Sequence, residues 1–294
     1  MRISVGTTIG MFLAGVVACA QTATNVTVTP SSSIFDCKNI AGVPLDAAPG
    51  FPSGSFASTG GPATVCLSGG ATTKTDMYFT PANLFAGRSV TLGDIASITY
   101  WTKKGATHIV DPRDWYLVIY TKRYAGQLGV SFYGIRVNTE PYFSVNLIDP
   151  ANAWNKWTTG GPNNQLRFFE STYGYFGSYT DPNYSSLIAG TSLPGSRGPG
   201  VPYASQPILF FSLQTASTWA AGFTGQVDGL RIQLTDASVA TVNFEPFLVA
   251  TDKKGCLDGG WVNLRRADGS TFLNQSACIH YAKEDKFSSA EDDN

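Results

Sequence analysis

From residue 76 onward the chain is a succession of short runs rich in β-branched and aromatic residues. They are DMYFTP, SVTL, IASITYWTKK, DWYLVIYTKRY, GVSFYGIRVN, QLRFFES, ILFFSLQT and GLRIQLTD, each bounded by turn residues. Runs of this kind read as β-strands, and the Gly, Pro, Asn and Asp between them supply tight turns. No stretch sustains a helical period of about 3.6 residues; DPANAWNKW (149–157) could form one short turn. Strands without covering helices protect their edges by stacking two sheets or by closing a barrel. The expected fold is therefore all-β, a two-sheet antiparallel β-sandwich or jelly roll.

Two patterns refine this. DWYLVIY is apolar on both faces, as an interior strand of a two-layer sandwich would be. In 229–234, Leu230, Ile232 and Leu234 alternate with Gly229, Arg231 and Gln233. After a turn at Asp236-Ala237-Ser238, Ala240, Val242 and Phe244 repeat the alternation, which predicts a hairpin with one buried face.

Composition supports a β-rich globular chain. The 294 residues include 31 Gly and 16 Pro, with 43% hydrophobic and 13% aromatic residues. Only 14% are charged, against about 25% in typical soluble domains. A net charge of -1 gives no electrostatic reason to expect nucleic acid as a partner.

Residues 1–20, MRISVGTTIGMFLAGVVACA, carry one basic residue, then an apolar stretch ending in Ala18-Cys19-Ala20. That small-x-small ending fits a secretory signal peptide cleaved after Ala20. The apolar run is shorter than the ~20 residues a span needs, so no membrane span is expected. Val16-Val17-Ala18-Cys19 also fits a lipobox, so a lipid anchor on Cys19 is the alternative to free secretion.

Removal of Cys19 leaves Cys37, Cys66, Cys256 and Cys278, an even number in an oxidising compartment. Three pairings are possible; the sequence-local one, Cys37–Cys66 and Cys256–Cys278, closes two short turn-rich loops. Zinc is the rival for these thiols, but there is no C-x-x-C and only two histidines. The expected organisation is a signal peptide (1–20), an irregular N-terminal segment with a Cys37–Cys66 staple (21–75) and a sandwich (76–250). A disulfide-closed C-terminal module (251–286) and a flexible tail (287–294) follow. Within the sandwich, 190–207 reads as a long loop.

No nucleophile motif accompanies His108 or His280, and no Gly-rich segment has Walker or dinucleotide spacing. Paired carboxylates are the remaining enzymatic possibility, because glycoside hydrolysis needs two carboxyls across a cleft. Glu140, Glu170 and Glu245 all follow strands among aromatics and are the candidates. Aromatics point the other way, to binding: apolar sugar faces stack on rings while amides bond the hydroxyls. DPANAWNKWTTGGPNNQ (149–165) combines Trp154 and Trp157 with Asn163 and Asn164 and is the expected carbohydrate contact. Asn-x-Ser/Thr triplets at Asn25, Asn183 and Asn274 would be glycan acceptors in a eukaryote.

The stretch 222–245, GFTGQVDGLRIQLTDASVATVNFE, resembles the closing hairpin of concanavalin A-like or laminin-G-like sandwiches. That resemblance implies recognition of sugars or glycoconjugates, sometimes with calcium; no calcium ligands carry over to this chain. The end, built on Cys256, Gly259-Gly260-Trp261, Phe272, Asn274-Gln275, Cys278 and Tyr281, looks like a short extension that recurs in exported, mostly bacterial proteins. It implies secretion and a small disulfide-closed module, with no chemistry of its own. The expected function is non-catalytic carbohydrate or cell-surface binding. A polysaccharide-active hydrolase or lyase and a structural or adhesive protein are the alternatives.

Overall fold

A computed structural model describes residues 22–59, 74–105, 114–170, 177–192, 194, 198–215 and 224–288. In chain order its strands begin with β1 (Ala23–Val28), β2 (Phe35–Cys37), β3 (Ile40–Pro44), β4 (Gly54–Thr59) and β5 (Asp76–Phe79). Then come β6 (Ile95–Lys104), β7 (Tyr116–Thr121), β8 (Arg136–Thr139), β9 (Asn155–Thr158) and β10 (Phe169–Glu170). Last are β11 (Ile208–Gln214), β12 (Thr224–Leu234), β13 (Val239–Phe244), β14 (Leu248–Val249) and β15 (Leu264–Arg265). Short helices α1 (Pro81–Leu84), α2 (Tyr184–Ile188) and α3 (Lys253–Cys256) interrupt them, and α4 (Gln275–Ser288) closes the described chain.

Strands β1 to β13 form a two-sheet, mainly antiparallel sandwich, and β14 and β15 pair with each other in parallel. One sheet runs β10-β8-β7-β11-β5-β2; the other holds β1, β13, β12, β4, β3, β6 and β9. Residue alternation decides what lies between them. Met77 and Phe79 from β5, Leu117 and Ile119 from β7, and Phe211 and Leu213 from β11 point inward. They meet Ile98 and Tyr100 of β6, Val227, Leu230 and Ile232 of β12, and Val242 and Phe244 of β13 in one continuous core. The expected hairpin is β12–β13, with Leu230 opposite Val242 and Ile232 opposite Ala240.

The seven-stranded sheet forks. Along one side of β12 runs β6, with a bulge between Asp228 and Arg231. Along the other side β4 pairs Thr224–Val227 and β13 pairs Leu230–Gln233. Gly229 stands at the branch with φ +64, and the Phe51 ring comes within 2.4 Å of where a Cβ would lie. Both facts require glycine there. At the fork the Asp228 carboxylate accepts from backbone Gly229 N (2.7 Å) and Phe244 N (3.3 Å), and from Ala48 N (2.9 Å) in the 45–53 loop. Asp228 is fully buried, and burial pushes its carboxyl up to about 7.

Segment 21–75 departs from the irregular expectation: it supplies β1 to β4, which join both sheets. β1 runs parallel to β13, and β2 pairs with β5. Ser, Gly and Ala carry little β-propensity, so β3 and β4 depend on the pairing that neighbouring strands offer them. The long loop at 190–207 is partly tied down by a bridge between Thr191 and Pro202. Among the described residues no helix is long and apolar enough to cross a membrane.

The C-terminal module is built as expected around a disulfide, Cys256–Cys278. Ala250, Cys256, Phe272, Cys278 and Ala282 form its core, with Trp261, Leu264 and Tyr281 packed against them. Arg266 lies 4.6 Å over the Phe272 ring, and the Tyr281 hydroxyl accepts from Ala267 N. Helix α4 begins where Asn274 Oδ1 accepts from Ala277 N, which gives that asparagine a capping role. Cys37 is also disulfide-bonded; its expected partner Cys66 lies outside the described residues, as do Cys19 and His108.

With so small a core, the module depends on its crosslink. A loop with the 22-residue separation of Cys256–Cys278 gains about 3 kcal/mol from closure. Replacing both cysteines with serine is expected to open 255–282 to limited proteolysis while leaving the sandwich melting transition unchanged. A common loss of both would show that the module and the sandwich unfold as one.

Candidate functional site

The outward face of the six-stranded sheet has the composition of a site. Its registers align side chains into rows across the strands. Asp76 of β5, Gln214 of β11 and Tyr116 of β7 are directly opposite one another, and Glu140 follows β8 one residue beyond Thr139, which pairs with Leu117. The next row is Tyr78, Ser212, Val118, Asn138 and Phe169. The third is Phe210, Tyr120 and Arg136. Because the alternate residues of these strands fill the core, all of these side chains project away from the opposite sheet.

An outer face normally exposes its polar groups to water. Here they form a buried floor: Asp76 is 2% exposed, Ser212 0%, Gln214 5% and Asn138 9%. Hydrogen bonds order the centre of that floor. Tyr116 Oη donates to Gln214 Oε1 (3.0 Å), while Gln214 Nε2 donates to Ser212 Oγ (2.8 Å) and Tyr120 Oη (3.2 Å). Lys74 Nζ pairs with Asp76 Oδ2 at 2.7 Å, and Asp76 Oδ1 is buried without a hydrogen-bond partner. Burial raises the Asp76 and Glu140 carboxyls, and it raises the Tyr78, Tyr116 and Tyr120 phenols. The phenols thus stay protonated at physiological pH and can donate.

Aromatic walls stand at both ends of this floor. At one end Phe210 meets Tyr78 edge-on at 4.7 Å, and Phe132 stacks on Phe210 at 6.0 Å and 24°. Tyr120 and Tyr133 extend the group, with ring centroids 5.1 Å apart. Phe132, 63% exposed, offers ring surface to solvent. This end opens into a groove of about 580 Å3 bordered by Ser33, Asp36, Tyr78, Asn83, Phe132 and Phe210. At the other end Tyr142, Phe143 and Tyr179 form a cluster with centroids 5.1–5.4 Å apart.

The face does not have the spacing of a two-carboxylate hydrolase. Asp76 and Glu140 are three strand spacings apart, about 14 Å between backbones, whereas hydrolytic pairs stand about 5–10 Å apart. One group of potential metal ligands occurs among the described residues, Asp36, Cys37 and Asp76. The Cys37 sulfur is in a disulfide and Lys74 already neutralises Asp76, so a cation has little to hold there.

The ligand-binding residues singled out from sequence lie apart from this face. Trp157, read above as a sugar contact, is 0% exposed and donates Nε1–H to Thr102 Oγ1 (2.6 Å), so it has no ring face to offer a ligand. Thr102 in turn bonds the buried Asp114 at 2.5 Å. The Asp114 carboxyl is raised by burial and by Asp149, which pairs with buried Lys104 at 2.6 Å. Trp154 is half-buried with Nε1 on Asp46 Oδ1 (3.1 Å) and Lys103 5.9 Å from its ring. It borders a shallow depression with Asn163 and Asn164, but the Asn164 amide is spent on Ile148, accepting from N (2.7 Å) and donating to O (2.9 Å).

The three glutamates are scattered. Glu140 lies on the outer face described above. Glu170 is buried, with Tyr203 Oη donating to Oε2 at 3.0 Å, and Glu245 is buried beside the fork of the other sheet. They are not brought together as a catalytic pair.

Tyr78, Tyr116, Tyr120, Phe132, Phe210 and Gln214 carry the face and were missed in the sequence. The available signal was period two: Tyr116 and Tyr120 alternate with Leu117 and Ile119, and Phe210, Ser212 and Gln214 with Phe211 and Leu213. Tyrosine reads as apolar in such a run, so two different faces looked like one buried strand. Comparison of the chain with known protein families, curated proteins and solved structures finds no match.

Proposed function

We propose that the protein is an exported, non-catalytic carbohydrate-binding protein, and that its ligand lies across the outer face of β5, β11, β7 and β8. One observation carries this reading: a floor of buried, mutually bonded polar side chains lies between exposed aromatic walls on a sheet face that ordinarily faces water. Rings supply stacking surface for the apolar faces of sugars. Floor and rim groups supply a few fixed polar contacts, the usual division of labour in a binding site. The wide spacing of Asp76 and Glu140 favours binding over hydrolysis. Export rests on the leader-like 1–20, and two disulfides suit an oxidising compartment.

A broad glycan array, read together with a search for cleavage products, tests the proposal. The wild-type protein is expected to bind a glycan class without degrading it. The Phe132→Ala/Phe210→Ala double variant is expected to lose about 100-fold in affinity, since two contact rings contribute about 1–2 kcal/mol each. Retained affinity in that variant would move the site elsewhere. An empty array would remove the carbohydrate reading, and new reducing or unsaturated ends would replace binding with catalysis.

A further inference from the structure

Beside the fork of the seven-stranded sheet, Asn243 and Glu245 form a pair with one contact made and one missing. Asn243 Nδ2 donates to Glu245 Oε1 at 2.5 Å. The opposite ends of the same two planar groups, Asn243 Oδ1 and Glu245 Oε2, are both buried with no hydrogen-bond partner. Two bare acceptors in one buried pair are costly, because each forfeits its bond to water and receives nothing. Glu245 is 4% exposed, so water cannot supply both missing donors freely.

One proton on Oε2 repairs both defects. A protonated carboxyl is a donor through its O–H as well as an acceptor through its C=O. A primary amide has the complementary donor and acceptor, and the two can close a cyclic pair. We propose that Glu245 is held as a neutral carboxylic acid whose Oε2–H donates to Asn243 Oδ1, so that a bound proton is part of the native sheet. The surroundings agree. Asp228, from β12, is the one charged group among the described residues whose field acts on Glu245, and it is itself acidic. β1 beside it, with β3, β4 and Thr29 to Ser33, brings no charged residue, and Asp46 of the 45–53 loop is spent on Lys103 at 2.6 Å. Burial, with Asp228 adding to it, raises the Glu245 carboxyl to about 7.

The sign of the consequence follows from linkage. The folded chain holds this proton up to about pH 7, whereas an unfolded glutamate releases it near pH 4.3. Stability from this group is therefore fully present below about pH 4.3 and is lost as pH rises through about 7. The fold is thereby tuned to an acidic medium.

Glu245→Gln tests this, because glutamine reproduces the acid's donor and acceptor at every pH. Thermal melts of the full chain are expected to give equal midpoints for E245Q and wild type at pH 5. At pH 8 the wild type is expected to fall several degrees further than E245Q, with the remaining slope in the variant coming from the other raised carboxyls, Asp228 and Asp114 foremost. Equal slopes, or a variant already destabilised at pH 5, would overturn the proposal. Should E245Q not fold, the wild type decides the matter through side-chain carboxyl 13C shifts. A glutamate titrating near neutrality is expected in both wild type and Glu140→Gln, and ordinary titration of every glutamate in Glu140→Gln would overturn it.

Discussion

Asp228→Ala is expected to destabilise the fold by about 3–6 kcal/mol, because it strips the acceptor from three backbone N–H groups. The size of the effect comes from position. Strand β12 has one neighbour on one side and two on the other, and no ladder can serve the backbone where β4 gives way to β13. Its carboxylate is also what fastens the 45–53 loop, through Ala48 N, over the branch. Chemical denaturation read by tryptophan fluorescence measures the loss. Proteolysis of the variant is expected to begin within 45–53. The conservative Asp228→Asn retains one acceptor oxygen and is expected to lose about half as much. A variant alanine protein within 1 kcal/mol of wild type would show that the fork is held by packing alone.

Trp157→Ala is the second large effect, about 3–5 kcal/mol from lost burial and the cavity left behind. Trp157 also anchors the chain that runs through Thr102 to Asp114. Without it, Thr102 keeps its bond to Asp114 but the indole donor is gone. Trp154→Ala, three residues earlier, is expected to cost far less, since that ring is half-buried and held by Asp46 and Lys103 at the surface. Equilibrium denaturation of the two variants side by side gives the comparison. Equal small effects would contradict the buried placement of Trp157.

These two tryptophans show where sequence reading succeeds and where it stops. The strand content, the β12–β13 hairpin and the disulfide-closed end follow from alternation, turn residues and cysteine spacing. Those are local signals. Which face of a strand a tryptophan or tyrosine occupies depends on the partner strands, and the chain near 149–165 carries turn residues that suggest exposure. β9 contradicts that suggestion only because it pairs with β6, more than 50 positions away, with Trp157 opposite Tyr100.

The candidate face was hidden for the same reason. Asp76, Gln214 and Tyr116 are adjacent in the fold and up to 138 positions apart in the chain, from Asp76 to Gln214. Strands β3 and β4 were hidden because their Gly-, Ala- and Ser-rich sequences gain order only from their neighbours. Helix α4 has only a short apolar face, Cys278, Tyr281 and Ala282 packed against Phe272 and Cys256, with Asn274 capping its first turn and the Cys256–Cys278 bond fixing it.

The ligand we propose lies across the outer face of β5, β11, β7 and β8. The most direct measurement is NMR chemical-shift mapping of the full chain, titrated with the tightest oligosaccharide from the array. Tyr78, Tyr116, Tyr120, Phe210, Ser212 and Gln214 are expected to shift together and to saturate with one affinity. Shifts confined to Trp154, Asn163 and Asn164, with this face silent, would overturn that placement.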